Sequence, residues 1–126
     1  MSTPVFMRFR EWLEDAGLTD GYKVQMVQWV EQKSDTGNMK YMVFQPDNGT
    51  SRVDDIGAED YVLVIIVGAE NDVQPLIQRA QDILDYASQH SDDSCLNAIF
   101  NDGGLPTPIP TEDNRMVIRL RFRCVS

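Results

Sequence analysis

The chain has 126 residues, enough for one compact domain and too few for two of ordinary size. Hydrophobic residues make up 42% and charged ones 25%, so a packed core is feasible and general disorder is not the default. The 20 acidic side chains against 11 basic ones leave a net charge of −9, which argues against non-specific nucleic-acid binding unless the cations are gathered in one patch.

Thr3-Pro4 suits a helix start, because Thr can cap and Pro is tolerated where the amide lacks a partner. Val5, Phe6, Phe9, Trp12, Leu13 and Ala16 recur at three- and four-residue spacing and predict an amphipathic helix over residues 4–16, ended by Gly17. Residues 22–30 change to a strand period with one bulge or slip. After turn chemistry at 34–38, a second β-rich run covers 39–45 and is stopped by Pro46-Asp47-Asn48-Gly49. The two runs predict an antiparallel hairpin. Residues 46–60 hold four Asp and one Glu among Gly and Pro, which reads as a long acidic loop.

Residues 61–67, Tyr-Val-Leu-Val-Ile-Ile-Val, lack alternation and predict a central strand covered on both faces. Asn71 or Asp72 is placed to cap a second helix, whose stripe is Val73, Leu76, Ile77, Ala80, Ile83, Leu84 and Ala87; Pro75 falls in its first turn. The helix frays at Ser88-Gln89-His90, a polar break follows at 91–94, and residues 95–100 read as a short strand. Past the turn at 101–104, Leu105-Pro-Thr-Pro-Ile-Pro110 can be neither helix nor interior strand and should lie extended on the surface. Residues 115–125 alternate strictly. Met116, Ile118, Leu120, Phe122 and Cys124 share one face; Arg115, Val117, Arg119, Arg121, Arg123 and Val125 share the other. The order is α-β-β-β-α-β-β, a single α+β domain over residues 1–126 with two helices on one face of a mainly antiparallel sheet.

The longest apolar run, residues 61–69, is about half what a bilayer-spanning helix needs, and the N-terminus has basic residues after its apolar ones, unlike a secretory signal. The chain therefore reads as soluble and cytosolic, with Cys95 and Cys124 as two buried reduced thiols in preference to one disulfide. The sequon Asn48-Gly49-Thr50 reads only as a turn.

Catalytic parts are not found. The single histidine, His90, sits at a frayed helix end, and no nucleophile-elbow, Walker or dinucleotide pattern occurs. One His and two distant Cys cannot assemble a structural zinc site. Asp54, Asp55, Glu59 and Asp60 offer oxygen ligands, but their spacing does not match a calcium loop and a solvated acidic loop is the simpler reading. The expectation is no enzyme, no cofactor and no metal.

One constellation stands out. Arg115, Arg119, Arg121 and Arg123 project from one strand face. They form either a solvated face paired with the molecule's own acidic surplus, or a docking face for an acidic partner or a neighbouring copy, a role that suits the planar guanidinium. Nucleic acid is less well served, since no aromatic alternates with these arginines and Phe122 points the other way.

The succession of an N-terminal amphipathic helix, a hairpin, the strand at 61–67, the helix at 73–89, the Pro-rich segment and the arginine-faced closing strand resembles the tail terminator proteins of long-tailed bacteriophages. The resemblance covers essentially the whole chain and includes the Gly-Leu-Pro-Thr-Pro approach to the last strand. It implies a structural, minor tail protein of a phage or prophage, working in the virion tail after assembly in the host cytoplasm. It further implies a hexameric ring that caps the tail tube protein, ends polymerisation and offers a surface to the head–tail connector, with DNA passing through unbound and no membrane involved. Contact residues are then expected at Asp54, Asp55, Glu59 and Asp60 of the acidic loop, on the Pro-rich loop, and at Arg115, Arg119, Arg121 and Arg123. The competing readings are a neck or head-completion protein, and a small ligand-binding domain or enzyme with a pocket under the 46–60 loop.

Overall fold

The computed structural model describes residues 5–27, 39–49, 59–90, 98–101, 104–111 and 115–125. Helix α1 (Val5–Asp15) is followed by strands β1 (Lys23–Met26), β2 (Tyr41–Gly49) and β3 (Glu59–Val67). Helix α2 (Gln74–Gln89) then leads to β4 (Ala98–Asn101), the two-residue β5 (Ile109–Pro110) and β6 (Met116–Val125). The predicted α+β order holds, with β5 added. Strands lie in the order β1-β2-β3-β6-β4, and β5 also pairs with β6.

Both helices pack on one face of the sheet, as the apolar stripes require. Phe9, Trp12 and Leu13 of α1 and Leu76, Ala80, Ile83 and Ala87 of α2 meet successive rows of sheet residues. One row is Met42, Ile66 and Ile118; the next is Phe44, Val64 and Leu120; then come Val62 and Phe122. Phe9 anchors α1 to this surface, its ring 4.8 Å from Phe122, while Trp12 joins the helices through Tyr86 at 4.7 Å. Cys124 is a buried thiol in the same core; Cys95 lies outside the described residues.

Gly17 ends α1 as expected, at φ +76°. The amide of Gly17 donates to Glu14 O (3.0 Å) and that of Leu18 to Leu13 O (3.1 Å), the paired bonds of a Schellman motif. The N-cap of α2 differs from expectation. It is Val73, with no side-chain cap bond; Asn71 takes a left-handed φ of 57°, and the Asp72 amide reaches Ala69 O at 3.3 Å. Pro75 at the start of the helix removes one amide that a cap would otherwise have to satisfy.

Three β expectations are corrected. The first two runs do not form an antiparallel hairpin: β1 and β2 pair in parallel, Lys23 opposite Tyr41 and Met26 opposite Phe44. The connection over residues 27–40 has the length a parallel return needs, at least about a dozen residues. The first strand is also shorter than residues 22–30. It stops where Val27 adopts φ 72°, a conformation a β-branched side chain rarely takes.

The third correction concerns Pro46, which does not stop the second strand. Strand β2 continues to Gly49 across an irregularity in register, with Pro46 opposite Val62. Strand β1 pairs with β2 only as far as Phe44, so among the described residues no neighbouring strand on that side demands a ladder donor of Pro46. The acidic loop is accordingly shorter than 46–60. Its first residues belong to β2, Glu59 and Asp60 belong to β3, and residues 50–58 lie outside the described residues.

Candidate functional site

The face of the sheet away from the helices carries the arginines, as alternation predicts. Strand β6 sets Arg119 opposite Ile65, Arg121 opposite Leu63 and Arg123 opposite Tyr61. Arg119 is exposed, whereas Arg121 and Arg123 are half-buried. The Arg121 guanidinium lies over the Tyr61 ring, 4.1 Å from its centre. The negative face of the ring attracts the cation and helps to hold it on the sheet. Toward β2 the same face closes over: Tyr41, Val43, Leu63 and Val67 are buried. The accessible part is thus centred on β6, with Ile65 and Tyr61 alongside.

Arg115 departs from the other three. It is 1% exposed, and its Nη1 donates to Met39 O (2.6 Å) and Gly68 O (3.0 Å), with the guanidinium 5.5 Å from the Tyr41 ring centre. Its own backbone is fixed by Thr111, whose amide donates to Arg115 O at 2.8 Å. Arg115 therefore ties the start of β2 to the end of β3, and the expected arginine face reduces to Arg119, Arg121 and Arg123. Asp54 and Asp55 lie outside the described residues. Glu59 and Asp60 open β3 opposite Val125 and Cys124, which sets them at the end of the sheet where β6 finishes.

The Pro-rich segment has a clear topological meaning. Strands β4 and β5 run along the same side of β6 in the same direction, pairing with residues 122–125 and 116–117. Between them, the four residues Ile118–Arg121 of β6 have no partner on that side among the described residues. The segment is thus an excursion from an interrupted edge strand. Leu105 in it (42%) and Ile109 of β5 (55%), which pairs with Val117, are exposed apolar side chains. Proline in such an edge also discourages indiscriminate pairing with other sheets.

Sequence reasoning missed the Tyr61–Arg121 stack, because the partners meet across strands whose register the sequence does not state. Phe122 does point into the core, but an aromatic ring still lies on the arginine face, supplied by β3. A cavity of about 330 Å³ lies among Asn71, Asp72, Val73, Pro110, Thr111, Arg115 and Met116. It is at the opposite end of the sheet from Pro46, Gly49 and Asp60, and its lining includes no histidine or cysteine. Among the described residues no group of three or more His, Cys, Asp or Glu is placed to hold a metal ion, and no helix is long and apolar enough to cross a membrane.

The architecture defines an α+β protein with a helix-covered core and a cationic sheet face, and that fold occurs in a solved structure only 15% identical. The two superpose with a TM-score of 0.60 over 97% of this chain and 93% of the other. No curated protein matches the sequence. The family model for phage tail termination protein matches residues 2–126, and the chain belongs to that family. It is therefore a structural component of a phage tail, from a family that is not enzymatic.

Proposed function

We propose that this chain caps the head-proximal end of the tail tube as a hexameric ring, ends tube polymerisation and supplies the surface on which the head connector docks. The observation that carries the proposal is the family match over essentially the whole chain. The physical logic is a ring closed by one heterologous contact, with two ends of different complementarity. One end fits the last ring of the tube protein. The other does not fit a further tube subunit, so growth stops and the connector binds instead.

The charge layout supports this reading. A net charge of −9 suits a conduit whose wall must release the passing duplex, since each retained phosphate contact would slow it. The arginine face belongs at a protein contact, as do the acidic residues Asp54, Asp55, Glu59 and Asp60. Assembly in the host cytoplasm precedes the chain's residence in the virion tail. Purified chain added to tubes made without it tests the proposal: it should decorate one end of each tube with a ring in negative-stain images and make those tubes competent for head joining. Tubes whose ends stay bare, and that remain unable to join heads, would contradict it.

A further inference from the structure

The outer surface of α2 and the accessible face of β6 carry opposite charge. Helix α2 presents Asp82 and Asp85, which accept hydrogen bonds from the glutamine amides of Gln78 and Gln81, both at 2.9 Å, and pair with no cation among the described residues. The one basic residue of α2, Arg79, is turned inward, donating to Leu18 O (2.7 Å) and Asp20 O (2.9 Å). In α1, Arg10 is engaged by Glu11 (3.9 Å) and Glu14 (3.2 Å) of its own helix, and Asp15 and Asp20 are exposed acids. On the opposite side of the domain, Arg119 is exposed near the centre of β6 and has no ion-pair partner among the described residues.

From this polarity we propose that copies of the chain associate head to tail, the arginine face of β6 in one copy seating against the acidic outer surface of α2 in the next. The inference rests on the ring reading above and names the contact that closes it. A two-fold contact between sheet faces would set arginines against arginines, a juxtaposition that like charge disfavours. Two complementary surfaces on opposite sides of one chain are what a heterologous assembly requires. Arg119, opposite the half-buried Ile65, has a long apolar stem that would give the contact packing as well as charge.

The test is a charge swap in the assembled tail. Phage-infected cells supply, in place of the wild type, either Arg119→Glu/Arg121→Glu or the same chain also carrying Asp82→Lys/Asp85→Lys. The amount of chain on purified tails is read by quantitative immunoblot, and circular dichroism verifies folding. The double variant should fall at least about tenfold, because both charges then oppose the acidic helix, and the fourfold variant should recover to within about threefold of wild type. A double variant retained at the wild-type level would overturn the proposal. So would a fourfold variant no better than the double, which would assign the arginine face to a foreign partner.

Arg119→Glu alone, at an exposed position, covers the case in which losing the Arg121–Tyr61 stack unfolds the protein; it should reduce incorporation at an unchanged melting temperature. A double variant that loses duplex-DNA binding yet stays on tails would also refute the contact. Failure of the terminator reading itself is seen elsewhere, as tubes of normal length when the chain is absent, whatever the swap shows.

Discussion

Replacing Arg115 by Met should destabilise the fold by an amount the structure allows to be worked out. The guanidinium makes two charge-assisted bonds, to Met39 O at 2.6 Å and Gly68 O at 3.0 Å, and is 1% exposed. Methionine fills much of the volume but leaves both carbonyls without this donor; the Gly68 bond is buried and the Met39 bond partly so, and an orphaned buried acceptor costs about 1–3 kcal/mol. Relief of the desolvation of a buried cation offsets part of that, so a net loss of about 2–4 kcal/mol is expected.

For a chain of this length the unfolding entropy makes 1 kcal/mol worth about 4 °C, so the melting temperature should fall by about 8–15 °C. Arg115→Lys keeps the charge and enough N–H groups for both carbonyls, which Arg115 bonds through Nη1 alone, but it loses the planar group beside the Tyr41 ring, and should recover about half of the loss. Thermal unfolding by circular dichroism at one fixed protein concentration checks this, because self-association would otherwise shift the midpoint. An Arg115→Met protein that melts within about 2 °C of wild type would show that these two bonds do not hold the fold.

Tyr22 supplies a pH prediction. Burial pushes its phenol up from the ordinary value; Arg79 nearby opposes that shift, and Asp72 adds to it. The folded state therefore holds the proton more tightly than the unfolded chain, so stability should hold below about pH 10 and fall as pH rises from there toward the folded value. The hydroxyl has no hydrogen-bond partner among the described residues, and the ring lies between Lys40 (4.8 Å) and Arg79 (4.9 Å). Tyr22→Phe should keep those contacts, leave stability at pH 7 equal or higher, and flatten the alkaline decline in urea titrations; an alkaline limb as steep as wild type would count against it. Gly17→Ala should cost about 1 kcal/mol, read as a lower urea midpoint, because Gly17 holds φ +76° in the Schellman motif. In the phage, Arg119→Glu/Arg121→Glu should abolish tail capping, and normal-length, head-competent tails from that variant would oppose the role given to the arginine face.

The elements that the sequence made legible are those whose residues face the core with a clean period. The stripes of α1 and α2 and the alternation of β6 were readable because burial itself selects those side chains, and Phe9, Ile83, Ile118 and Phe122 all sit where the pattern put them. The parallel pairing of β1 with β2 was not readable, since turn residues at 34–38 signal a reversal without saying whether the chain returns at once or runs back first. Pro46 misled for a related reason: a rule about strands in general gave way to the position of one residue beyond the reach of its neighbour strand.

The candidate site shows the same division. Alternation assigned the arginines of β6 to the correct face of the sheet, and Arg115 shares that face with them. Periodicity fixes the side on which a residue lies and not its depth. Only the register shows that Arg115 falls where Tyr41 and Val67 are already buried, while Arg119 emerges at the exposed centre. The excursion between β4 and β5 was foreseen as a surface segment, but its place within an edge strand depends on pairings that no local signal carries.

The most direct measurement of the central claim is the length distribution of tails made by phage lacking this chain, taken from negative-stain images of lysates. Tubes should overrun the wild-type length without a sharp maximum and carry no heads, with normal length restored when the chain is supplied in trans. Tails of uniform wild-type length in its absence would contradict that claim.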